Sequence, residues 1–371
     1  FPTRRSSDLR LNRVYLVATA ASNMEAKVQE LIDAVTKAGL IATVYKPLEV
    51  FNAADSVAEI KAGKSAVLME KICADFLKQD FDDVDAVVVE GATGMNDVIA
   101  HKFNDDLASA LDAKIFADGE DAELFCPKRL LRCEKCVAGD LAEPAAERRV
   151  SQAMFRASLL SKASKCVKRI VLPEGSEPRT VQAACLAVER NIAVPVLIGK
   201  KADIEATAKS VGVKLPANIE IIEPSAELAE KYVPTLVELR KAKGMTPESA
   251  RVALSDNVML ATMMLKFGEV DGLVSGAIHS TADTLRPALQ IIRTAPGVKS
   301  VSSVFFMCMK DKTYIYGDCA INLNPLAEEL ADIALQCDDT AKAFGLPSRV
   351  AMLSYSTINS GKGPDADLVV A

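Results

Sequence analysis

The sequence predicts an α/β protein whose domains are three-layered, each a parallel sheet between helices. Short apolar runs of strand length recur along the chain, and segments with helical spacing lie between most of them. Strands separated by helices imply parallel pairing through crossovers. The chain's 371 residues are enough for roughly two or three domains with buried cores.

Val14–Ala18 is the first apolar run, suited to a buried parallel strand. From Met24 to Ala38 the apolar positions Val28, Leu31, Ile32 and Val35 follow helical spacing, and Gly39 ends the segment. Ile41–Tyr45, Ala86–Val89 and Lys114–Ala117 are further strands, with a helix over 97–111 between the last two. Cys126–Glu147 breaks the rhythm with Cys, Arg, Glu, Pro127 and Pro144, and reads as a linker or junction. Alternation restarts at Lys168–Leu172 and runs to the end.

Both ends stand apart. Phe1–Leu9 has no periodicity; it reads as the translated scar of a sequencing adapter or as a basic arm. Asp365–Ala371 reads as the start of a helix that stops without a cap.

Composition narrows the function. A net charge of −6 disfavours a broad basic face for nucleic acid, and no apolar run reaches the ~18 residues of a membrane span. Nine scattered cysteines suit a reducing cytoplasm. Two histidines leave little room for a histidine-based metal site. Cys133 and Cys136, with Cys126 upstream, have the spacing of half a zinc site, but no second pair follows, so no metal is expected.

Ligands of parallel sheets gather beyond the strands' carboxyl ends, where helix N-termini favour anions. Three segments fit. In Ile170–Thr180 a strand ends at Leu172, Gly175 permits a tight turn, and Pro178 suits the first helical position. Arg179 then lies beside whatever anion the loop holds, or merely balances Glu177. In Val270–Pro287 an apolar strand runs into Ser275 and Gly276, and Ser280, Thr281 and Thr284 precede or enter a helix containing Arg286. His279 there is either a general base or, as is commoner for a loop histidine, a partner for a backbone group.

In Arg349–Gly363 a buried strand opens into hydroxyl residues, two glycines and Lys362, without the Walker pattern. This is an anion loop or a solvated Ser/Gly loop. Arg240, before Gly244, reads by itself as ordinary helix-end stabilisation. Cys308 and Cys319 read as core thiols in strand-like surroundings.

Taken together, LPEGSEPRT (172–180), LVELRKAKGMT (236–246), EVDGLVSGAIHSTADTLRPALQIIRTAPG (269–297), YGDCAINLNP (316–325) and RVAMLSYSTINSGKGPD (349–365) resemble successive motifs of the phosphate acetyl/butyryl transferase family. The resemblance is strong over 151–371. Residues 10–125, through VYKPLEV, AVLMEKICADF and VDAVVVEGATG, resemble more loosely the dethiobiotin-synthetase-like, P-loop-type domain of the family's long bacterial form. The chain departs from it at Thr19–Glu25, which has neither glycine nor lysine where a phosphate loop would lie, so no nucleotide hydrolysis is expected.

The resemblance implies domains at 10–125 and 151–371, joined by 126–150. The second domain would hold two α/β subdomains around a cleft, 151–305 and a second, incomplete one beginning near Phe305. It implies transfer of an acetyl group from acetyl-CoA to phosphate, without a tightly bound cofactor, in a cytoplasmic homo-oligomer. A butyryltransferase or a non-catalytic acyl-CoA sensor are the alternatives. Arg179, Arg240 and Arg286 are implied in coenzyme A and phosphate binding, with Ser275, Gly276, Ser354, Ser356, Thr357, Ser360 and Gly361 as further contacts. The family's catalytic Ser-Arg pair and aspartate would lie beyond Ala371. An incomplete sheet exposes apolar faces, so aggregation is expected.

Overall fold

The apolar run at Val14 becomes β1 (Arg13–Val17), joined in one sheet by β2 (Ala42–Tyr45), β3 (Ala86–Glu90) and β4 (Lys114–Phe116). The order is β2-β3-β1-β4 and every pairing is parallel. The structure, a computed structural model, describes residues 13–19, 23–93, 97–117, 125, 149–356 and 360–371. Phe1–Leu9, the Cys126/Cys133/Cys136 group, most of the 126–150 junction and Thr357 lie outside them, as does the middle of the Thr19–Glu25 loop.

The period of two along β1 explains the three layers. Val14 and Leu16 face one side with Leu68, Ile72, Phe103 and Leu107 of the Ser65–Phe76 and Asp97–Ala110 helices. Tyr15 and Val17 face the other with Val28, Leu31 and Val35 of the Met24–Lys37 helix. Both faces are covered, which is why β1 and β3 read as unbroken apolar runs.

The second sheet comprises β5 (Lys168–Leu172), β6 (Ala193–Ile198), β7 (Glu220–Ile222) and β8 (Gly272–Leu273), in the order β7-β6-β5-β8, again all parallel. Val171, Val196 and Ile198 pack with Tyr232, Leu236, Leu260 and Met263 on one face. Leu197 packs with Val181, Ala184, Ile204 and Ala208 on the other. The strand expected over 270–274 shortens to two residues, although Asp271 N and Val274 N still donate to the carbonyls of Arg169 and Val171 at 2.8 and 3.1 Å. Val274 is exposed; the chain already peels away there toward the site.

Beyond residue 300, β9 (Val304–Met309) and β10 (Lys312–Gly317) form an antiparallel ribbon, followed by the Ala327–Phe344 helix and a short Pro364–Val370 helix. Phe306 of β9 sits between Phe155 and Phe344, with ring centroids 5.1 and 4.6 Å away. Through these rings the ribbon joins the core of the first sheet. Its other face leaves Phe305, Met307, Met309, Tyr314 and Tyr316 exposed.

Two sequence expectations fail here. Residues 349–353 form no strand, and Val350, Met352 and Leu353 are exposed. A parallel strand needs a neighbour to satisfy its backbone, and among the described residues β9 and β10 pair only with each other. Cys319 lies in a loop rather than a strand, its Sγ 3.3 Å from Ser303 Oγ.

By contacts the chain divides into two units, Leu160–Ser300 and the rest (Phe1–Leu159 with Val301–Ala371). The division falls within the Gln152–Lys165 helix. Among the described residues no helix is long and apolar enough to cross a membrane.

Candidate active site

In the second sheet, β6 and β7 lie on one side of β5 and β8 on the other. Loops leaving the carboxyl ends of β5 and β8 therefore meet at the edge of the sheet where parallel α/β folds hold ligands. The β5 loop is 173–177 and the β8 loop is 274–280. Gly175 makes the first loop possible: its N–H donates to the Ile198 carbonyl at 3.1 Å, and a Cβ there would stand 2.6 Å from the same oxygen. Asn257 Nδ2 donates to the Pro173 carbonyl at 3.1 Å and ties the loop to a third element.

Between the two loops stands Glu174, 6% exposed. Its Oε2 accepts the N–H groups of Gly276 and Ala277 at 3.1 and 2.9 Å. Its Oε1 accepts those of Ile278 and His279 at 2.8 and 3.0 Å, and meets His279 Nδ1 at 2.7 Å. Four successive amides make a nest of the kind that binds anions, and here the chain's own carboxylate fills it. Burial alone would raise the Glu174 pKa; hydrogen bonds from Ile278, Ala277 and His279 outweigh it and hold the group at about 2. A carboxylate accepts only, so Nδ1 carries the proton in the His279–Glu174 contact. The ring thus serves Glu174 through Nδ1, with Nε2 as its remaining acceptor.

Arg179 follows in the first turn of the Pro178–Glu189 helix, which Glu177 caps by accepting Thr180 N–H at 2.9 Å. Its Nε donates to Glu177 Oε1 at 2.6 Å and its Nη2 to the Ala277 carbonyl at 2.7 Å. The Arg179 guanidinium holds the Glu177 carboxyl below its ordinary range. Arg179 therefore balances Glu177 and also reaches the β8 loop. Ser280 caps the Thr281–Ile291 helix, accepting Asp283 N–H at 3.2 Å and donating to Asp283 Oδ2 at 2.7 Å. Arg286 on that helix lies 3.7 Å from Asp283 and is exposed.

Among the buried polar atoms of this unit, Arg240 Nε, Ser275 Oγ and Thr284 Oγ1 have no hydrogen-bond partner among the described residues. Arg240 ends the Ala226–Arg240 helix, which touches the helix carrying Thr284 and Arg286. A buried polar group left unpaired costs about 1–3 kcal/mol.

The remaining expected contacts belong to the other unit. Ser354 Oγ accepts Ser356 N–H at 3.2 Å, and Ser356 Oγ donates to the Gly361 carbonyl at 3.0 Å and accepts its N–H at 3.1 Å. The loop is thus closed on itself, with Tyr355 packed so near Gly361 that a Cβ would meet the ring at 2.8 Å. Ser360 stands at the same turn.

Sequence reasoning missed two carboxylates, Glu174 and Asp318. Asp318 accepts from Ser303 Oγ, from Asn322 Nδ2, and from the amides of Ala320, Ile321 and Asn322 at 2.9, 3.2 and 2.7 Å. Burial opposes its ionised form, but these donors prevail and keep it far below the usual carboxylate range. For Asp318 the available signal was an acidic residue directly after a strand; for Glu174 there was no local one. Among the described residues no cluster of His, Cys, Asp or Glu is placed to hold a metal.

Residues 154–371 match the family model described as Phosphate acetyl/butaryl transferase. The phosphate acetyltransferase of Escherichia coli is 58% identical over 222 residues, which are 60% of this chain and 31% of that protein. That of Pseudomonas aeruginosa is 55% identical over 223 residues, 60% of this chain and 32% of that protein. The chain thus spans about a third of the length of these relatives. Among solved structures, the EutD phosphotransacetylase from Staphylococcus aureus aligns with a TM-score of 0.54 at 41% identity, covering 59% of this chain and 66% of that one. A phosphotransacetylase from Streptococcus pyogenes aligns with a TM-score of 0.53 at 40% identity, covering 57% and 65%. With its motifs in order and more than half of its length matched, the chain belongs to the phosphate acetyl/butaryl transferase family.

Proposed function

We propose that the chain carries the coenzyme A and phosphate-binding part of a phosphate acetyltransferase. The reaction is acetyl-CoA plus phosphate giving acetyl phosphate plus coenzyme A. A phosphate oxygen attacks the thioester carbonyl, the C–S bond breaks, and the proton released by phosphate ends on the departing thiol. The observation that carries this reading is the set of buried polar atoms on Arg240, Ser275 and Thr284 without a partner among the described residues, in the same unit as Arg179.

Phosphate in water is a poorly aimed nucleophile; guanidinium forks desolvate and orient its oxygens. Arg179, Arg240 and Arg286 would hold coenzyme A and phosphate, with Ser275 and Gly276 shaping the floor. The hydroxyl-rich loop at Ser354, Ser356, Thr357, Ser360 and Gly361, in the other unit, is the further expected anion contact. The acetyl group is favoured over butyryl because the relatives quoted above are named phosphate acetyltransferases. The substrates are small molecules, and no tightly held cofactor, nucleic acid or membrane enters the scheme. A cytoplasmic homo-oligomer serving acetate metabolism fits it.

The test is calorimetric titration of the protein with coenzyme A, alongside phosphate-dependent release of coenzyme A from acetyl-, propionyl- and butyryl-CoA. Binding that R179A and R240A weaken supports the reading. Absence of both binding and release at millimolar ligand sinks it.

A further inference from the structure

The Glu174 carboxylate and the Arg179 guanidinium act on one peptide unit. In the peptide that joins Ala277 to Ile278, the Ile278 N–H donates to Glu174 Oε1 at 2.8 Å and the Ala277 carbonyl accepts from Arg179 Nη2 at 2.7 Å. The same carboxylate holds the amides of Gly276, Ala277 and His279, and the His279 ring. Gly276, at φ +110, lets the backbone turn so that these amides converge. The orientation of the Ala277 carbonyl, and with it one of the two acceptors that fix Arg179, is therefore set by Glu174. The other acceptor, Glu177, is the cap of the helix that carries Arg179.

We propose that Glu174 is a positioning residue. It stands as a built-in anion in the nest of amides 276–279, fixes the Ala277 carbonyl, and through it aims Arg179 at the substrate anion. This also steers specificity. With the amides occupied, the substrate's phosphate is excluded from the nest and taken by arginine side chains instead. The inference rests on the reading of Arg179 as a coenzyme A or phosphate contact, and Glu174 itself touches no reacting atom.

The experiment is a coenzyme A titration of the protein and of R179A, E174Q, E174D and the double variant E174Q/R179A, each checked for folding by circular dichroism. Expected is a loss of affinity of roughly tenfold in R179A, the size of one charge-assisted contact. A similar loss is expected in E174Q, with no further loss in the double variant, because both changes remove one device. E174D keeps the charge and recovers part of the loss; should E174Q fail to fold, E174D with and without R179A carries the comparison. Wild-type affinity in E174Q, or losses that add in the double variant, overturns the inference while leaving Arg179's role intact. Wild-type affinity in R179A overturns the reading of Arg179 itself, and the inference with it.

Discussion

The Glu174 carboxylate and the His279 imidazole, 105 positions apart, meet at 2.7 Å between the loops that follow β5 and β8. The contact is one of five donors converging on a single buried carboxylate. It makes the geometry of the β8 loop depend on that group being ionised.

An acid limb in stability follows. The Glu174 pKa falls from an ordinary 4.5 to about 2 in the folded chain. A depressed carboxylate stabilises the fold fully above its unfolded pKa and loses that contribution as pH falls through its folded one. The contribution, on the order of 3 kcal/mol from a fall of about 2.5 in pKa, is thus present above pH 4.5 and lost progressively toward pH 2. Amide exchange at residues 276–279 is expected to accelerate across that window. E174Q should show fast exchange there already at neutral pH, and an unchanged pH response at these residues would contradict the assignment.

Gly175→Ala tests the close approach beneath the site. The added Cβ would stand 2.6 Å from the Ile198 carbonyl oxygen, 3.0 Å from its carbon and 3.1 Å from its nitrogen. These are backbone atoms of β6 and cannot swing aside. A destabilisation of about 1–3 kcal/mol, the usual cost of overpacking, is expected in denaturant titration, together with weaker coenzyme A binding as Glu174 shifts. A stable variant with unaltered binding would show that the loop tolerates displacement.

Arg240→Ala separates binding from stability. Its Nε has no partner among the described residues, so the fold forfeits stem packing but no hydrogen bond from that atom to them. The melting temperature is expected to move little, while coenzyme A or phosphate affinity falls roughly tenfold or more, the scale of a charged contact. Equal affinity in R240A and the parent would remove Arg240 from the site.

These sites show what a sequence can disclose. The Met24–Lys37 helix, β1, β5 and the Pro178 helix start were legible because each is written in a local period or cap. So was the placement of Arg179 beside the β5 loop. Glu174 was not, because its partners come from a loop about a hundred residues away, and nothing local distinguishes a carboxylate that fills a nest from one that faces water. Residues 349–353 misled for the opposite reason. Their apolar run has strand composition, but a strand exists only where a neighbour offers its edge, and β9 and β10 offer theirs to each other.

The ribbon's attachment supplies the last test. Phe155, 3% exposed, packs against Phe306 at 5.1 Å and Phe344 at 6.2 Å, so one side chain joins β9 and the Ala327–Phe344 helix to the first sheet's core. Arg149 adds ion pairs to Asp112 at 2.7 Å and Asp311 at 2.9 Å, and Lys310 pairs with Asp105 at 2.7 Å. The Arg149 and Lys310 side chains are exposed, and pairs of this kind contribute roughly 0–1 kcal/mol each, so the aromatic contact dominates. Phe155→Ala is expected to cost about 3–5 kcal/mol and to raise amide exchange in residues 304–317 before the first sheet is affected. Arg149→Ala should lower stability by under about 1 kcal/mol. If R149A loosens the ribbon more than F155A does, charge rather than packing holds it.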